Sequence, residues 1–145
     1  MISLKFCSAI VATALLGSAS VYAAEDAGAR FTAMLDGASE RPGPGDPDGM
    51  GTATIRVNPG REQLCYSITV TGIDQATAAH IHEAPASSAG PIVVHLDVSP
   101  GGTFQGCETI SRELAKEIIK NPSDYYVNVH NPAFRAGAVR GQLGK

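Results

Sequence analysis

Residues 64–71 alternate without a break, with Leu64, Tyr66, Ile68 and Val70 on one parity and Cys65, Ser67, Thr69 and Thr71 on the other. A side-chain period of two belongs to a strand with one face on a core and one in water, so the chain must build a sheet with an apolar side. The pattern recurs around Phe31, Ala33 and Leu35, at 52–57 with Ala53, Ile55 and Val57 inward, and at 78–83, 91–96, 125–130 and 138–143. Gly, Pro, Ser and Asn clusters separate these stretches, the longest being the Gly- and Pro-rich loop 37–51. Only 111–120 has helical spacing: Ser111 can cap it, Leu114, Ala115 and Ile118 share a face, and Asn121-Pro122 ends it. Seven short strands with one short helix in a connection predict an all-β fold, a Greek-key β-sandwich or barrel.

The N-terminus obeys a different rule. Lys5 supplies a positive charge, residues 6–21 are almost free of charge, and the run closes on Val21-Tyr22-Ala23. That is the layout of a secretory signal, so residues 1–23 are expected to be a signal peptide and 24–145 a single domain, exported to a periplasm or the cell exterior. The apolar run is short for a membrane span, and no later segment is long and apolar enough to be one. Cys7 lies within the signal, which leaves Cys65 and Cys107, an even pair that an oxidising compartment bridges. Metal thiolates are the rival use of that pair, without CxxC-like spacing to support them. A formal charge of −3 with no basic patch speaks against nucleic acid and anionic membrane as partners.

All four histidines fall in predicted strands, so alternation places them. Ile81 takes the core, which puts His80 and His82 together on the other face. Val127 and Val129 take the core, leaving Tyr126, Asn128 and His130 outside; Ile92, Val94 and Leu96 do the same for His95. Imidazoles at i and i+2 on one strand converge on one ion when a neighbouring strand supplies a third, and neutral imidazole suits copper or zinc. His80, His82 and His130 form that trio, with His95, Glu83 or a loop methionine able to complete it. The alternative is metal-free: surface histidines, or a polar network of His80, His82, Asn128 and His130 that orders the loops.

The remaining residues carry less. No serine sits in a nucleophile elbow. Asp46-Pro47-Asp48 lacks the ligand spacing of a calcium loop and reads as a turn. Tyr125 packs in the core, and Tyr125-Tyr126 could otherwise serve an interaction surface. Arg140 and Gln142 point outward beside Val139 and Leu143, as an anion site or a solvated face.

Taken in order, Ala79-His80-Ile81-His82, Gly90-Pro91-Ile92-Val93-Val94, Tyr126-Val127-Asn128-Val129-His130 and Arg140-Gly141-Gln142-Leu143 resemble the signature of the CHRD domain, first described in chordin. Phe31-Thr32-Ala33-Met34-Leu35-Asp36-Gly37, with Glu40 and Pro42, is similar to its opening. The resemblance implies an immunoglobulin-like sandwich similar to that of copper/zinc superoxide dismutase, in which a His-x-His on the outer sheet face ligates copper. It therefore implies His80, His82 and His130 as metal ligands. After that trio only His95 is left, too few for a two-metal dismutase centre, and His95 lies outside the CHRD signature. Imidazole ligation without thiolate favours Cu(II) over Cu(I). Three functions fit: a domain binding one transition-metal ion, copper first; a metal-free module that meets another extracytoplasmic protein; and a copper-only dismutase-like enzyme in which Arg140 attracts the anionic substrate.

Overall fold

The computed structural model describes residues 28–145, and the expected signal peptide lies outside the described residues. The unbroken alternation becomes β3 (Gln63–Thr71), flanked in the sheet by β2 (Met50–Asn58) and β6 (Thr103–Thr109). The other strands are β1 (Ala29–Asp36), β4 (Ala78–Glu83), β5 (Ile92–Leu96), β7 (Tyr125–His130) and β8 (Val139–Gln142). All pair antiparallel in the order β5-β4-β7-β8-β1-β2-β3-β6.

This sheet has two halves, β1-β2-β3-β6 and β5-β4-β7-β8, whose junction is thin. β8 meets β1 in register at Asp36 and Arg140, with a further bridge between Thr32 and Gly144. Folding over there brings the apolar faces together in one core, with Phe31, Ile55, Leu64 and Ile68 from one half and Ile81, Val94, Val127 and Val139 from the other. The edge strands β5 and β6 close the far side through Tyr66. Its ring passes over Gly106, directly opposite on β6, where a Cβ would collide with it. The Tyr66 hydroxyl then accepts from the Asp97 N–H at 2.8 Å, just beyond β5. The helix α1 (Arg112–Lys120) buries Ala115 and Ile118 and lies against β2, and Ser111 Oγ accepts from Leu114 N–H at 3.1 Å as the expected cap.

Three expectations need correction. The sheet has an eighth strand, β6, which alternation did not show because Thr-Phe-Gln-Gly-Cys-Glu-Thr buries only Phe104 deeply. It carries Cys107 directly opposite Cys65, and the two form the expected disulfide. Ile92 is exposed rather than inward, because a bulge between Ile81 and His82 shifts the β4–β5 register. Finally, Tyr126, Asn128 and Arg140 do face away from the core, yet all three are buried. Loops 37–49, 84–91 and 131–138 lie over that outer face and are tied to it and to one another, as by the Asp46 N–H to the Ala138 carbonyl at 2.8 Å.

Candidate metal centre

β4 and β7 are neighbours, and their register sets His80 opposite Asn128 and Ala78 opposite His130. Period-two geometry therefore stacks His80, His82, Asn128 and His130 on one face. One ring nitrogen from each of His80, His82 and His130 lies within 4.8 Å of the others, the metal-capable cluster among the described residues. His82 is buried; His80 and His130 are half-buried.

The protons of this group can be assigned from its partners. His82 Nδ1 lies 2.8 Å from the Gly90 carbonyl and His130 Nδ1 2.9 Å from that of Arg135, and a carbonyl only accepts. Both Nδ1 atoms are thus N–H donors, and in the neutral rings both Nε2 atoms carry lone pairs. Those lone pairs face the same oxygen, Asn128 Oδ1, at 3.1 and 3.0 Å, and His80 Nδ1 lies 3.0 Å from His130 Nε2. Protonating both nitrogens of His80 and His130 would place hydrogens in the gap, but these two rings resist it. Burial, then the mutual repulsion of the neighbouring imidazoles, pushes His80 down to about 4, and burial lowers His130 as well. A cation answers the same need without protons. Two ligands about 2.1 Å from an ion and 90–109° apart are separated by roughly 3.0–3.4 Å, close to these contacts. Donation of Nδ1–H to a backbone carbonyl is also the usual outer support of a metal-bound histidine.

The family model of the CHRD domain matches residues 31–143, which spans this face and nearly all of the sheet. The chain belongs to the CHRD domain family. No curated protein and no solved structure matches it.

The Arg-Gly-Gln stretch of this CHRD domain acts as a clamp. Arg140 donates to the carbonyls of Ser88 and Pro85, both at 2.9 Å, and to Gln142 Oε1 at 2.9 Å, while Gln142 Nε2 donates to the Ala84 carbonyl at 2.9 Å. The guanidinium also lies 3.4 Å from the Tyr126 ring centroid, and Tyr126 stacks with His82 at 4.8 Å. Loop 84–91 is thereby pinned, and its Gly90 carbonyl fixes the His82 tautomer; the Gly90 N–H donates to the Tyr126 hydroxyl at 3.2 Å. A side chain at Gly90 would strike the Glu83 carbonyl. Arg140 is therefore neither a solvated residue nor an open anion site.

His95 flanks the trio without joining it: it opposes His80 in register, with ring centroids 4.9 Å apart, and is exposed. Glu83 is exposed and outside the cluster, and Met34 and Met50 lie exposed on β1 and β2. Sequence reading gave Asn128 a place only in a metal-free polar network, and passed over Glu40 as a site member. Glu40 is buried under the loops, packed against Gly137, and its carboxyl is pushed up to about 7 by burial against the opposing pull of the Arg140 charge. The His-to-Asn spacing on β7 was the available signal for Asn128; for Glu40 there was only its place in the family's opening motif.

Proposed function

We propose that this chain is an exported CHRD domain that binds one transition-metal ion through His80, His82 and His130, with Cu(II) the best match. The observation that carries the reading is the proton assignment: two Nε2 lone pairs converge with a third imidazole while their Nδ1–H groups are held by carbonyls. Imidazole-rich, thiolate-free ligation suits Cu(II) and Zn(II), and Cu(II) stands higher in the affinity order. Export, with residues 1–23 as signal and 24–145 as the domain, is supported by the Cys65–Cys107 disulfide, which persists in oxidising compartments. Among the described residues no helix is long and apolar enough to cross a membrane. Dismutase-like chemistry gains no support from Arg140, whose guanidinium is buried and bonded to carbonyls.

Titration of the chain from residue 24 onward with copper and with zinc tests this, beside a His80→Ala, His130→Ala double variant. The expected result is stoichiometric uptake of one ion that the double variant loses, with thermal stability rising as metal is added, by about 2.7 kcal/mol at a hundredfold excess over Kd. No uptake by the wild-type chain ends the reading and leaves the metal-free module.

A further inference from the structure

Asn128 is the buried polar residue that the three-histidine site leaves unexplained. It is 2% exposed, and its Oδ1 contacts both His82 Nε2 and His130 Nε2 at 3.1 and 3.0 Å. In the metal-free arrangement these are oxygen-to-lone-pair contacts, which a side chain free to turn would avoid by presenting its NH2 group instead. The amide is not free to turn. Its N–H side hydrogen-bonds the Glu40 carboxyl, a partner that turning the amide would take from it. Glu40 is itself held, 3% exposed, packed on Gly137 and within the field of Arg140.

Resting on the three-histidine reading, we propose that Asn128 Oδ1 is the fourth ligand of the metal, making an N3O set, and that Glu40 is the positioning residue that keeps this oxygen turned inward. The three short contacts, Oδ1 to each Nε2 and His80 Nδ1 to His130 Nε2, are then edges of one coordination polyhedron. A neutral oxygen beside three imidazoles suits a divalent ion of Cu(II) or Zn(II) type and disfavours Cu(I), which prefers softer donors.

Cu(II) binding to the chain from residue 24 onward, read by titration and by electron paramagnetic resonance, decides the matter. Asn128→Leu is expected to weaken Cu(II) binding about tenfold or more and to change the copper hyperfine splitting, as loss of an oxygen donor requires. Asn128→Asp, which replaces a neutral oxygen by an anionic one, is expected to bind Cu(II) with a shifted spectrum, and serves if the leucine variant does not fold. Glu40→Leu should weaken binding about tenfold, whereas Glu40→Gln, which keeps an acceptor for the amide, should restore affinity and spectrum. If wild type binds copper and the Asn128 variants match its affinity and spectrum, the fourth-ligand assignment fails and the three-histidine site stands. If wild type takes up no copper, both fall together.

Discussion

The two halves of the sheet are built from the same strand pattern and put to opposite uses. In β1-β2-β3-β6 the outer face is wet: Thr32, Met34, Ser67, Thr69 and Gln105 stand exposed, and burial alternates residue by residue. In β4-β7-β8 the outer face is roofed, and β7 is buried from Tyr125 to Val129 on both sides. The first half is a wall held by apolar packing and one disulfide. The second encloses polar groups, which are stable in burial only when each finds a partner. Around His82, Asn128 and His130 acceptor atoms crowd together, and the proposed cation site rests on that crowding.

The contrast can be broken from either side. Removing the disulfide with Cys65→Ala and Cys107→Ala should cost about 4 kcal/mol in the chain-entropy model, read from urea midpoints, with metal stoichiometry unchanged because the bridge lies in the other half. Arg140→Ala should cost about 3 kcal/mol, since carbonyls of loop 84–91 lose their donor in burial. Unlike the disulfide variant it should also weaken metal affinity about tenfold, because Gly90 no longer fixes His82. An Arg140→Ala chain with unchanged affinity would separate the clamp from the site. Tyr66→Phe, which cuts the seam bond to Asp97, should cost about 1 kcal/mol and leave the metal untouched.

Acid sharpens the comparison further. His80 sits at about 4 against 6.5 when free, so as pH falls between these values the unfolded chain binds a proton that the folded chain refuses, and stability drops. Glu40 acts oppositely: raised from 4.5 to about 7, its contribution is complete below 4.5 and is lost as pH rises through 7. The metal-free wild type should therefore show a shallow slope between about pH 6.5 and 4.5. Glu40→Gln removes the compensating group, and its urea midpoint should fall more steeply with acid over that window. The smallest effect belongs to the wet wall, where Ser67→Ala should shift stability by less than about 0.5 kcal/mol.

Alternation revealed which parity of each strand faces the core, and hence that His80, His82 and His130 share a face. Pattern alone failed at β6, where the large side chain filling the space over Gly106 belongs to Tyr66 on the neighbouring strand. It failed again at Asn128 and Arg140, because parity distinguishes core from not-core and says nothing of a roof. The roof is made by loops whose paths depend on distant contacts, such as Asp46 with Ala138. Glu40 comes under the roof by that route, so its burial was illegible before the fold.

The Arg140 clamp also imposes an order of events. Its residues lie in the last strand, so a chain emerging from its N-terminus presents His80, His82 and His130 before the piece that sets their surroundings has arrived. On the proposed metal-binding reading, an ion met before β8 is in place would find imidazoles on a half-built sheet whose tautomers no clamped loop yet fixes. On that reading, a firm three-histidine grip would wait for β8 to pair with β7 and for Arg140 to pin loop 84–91.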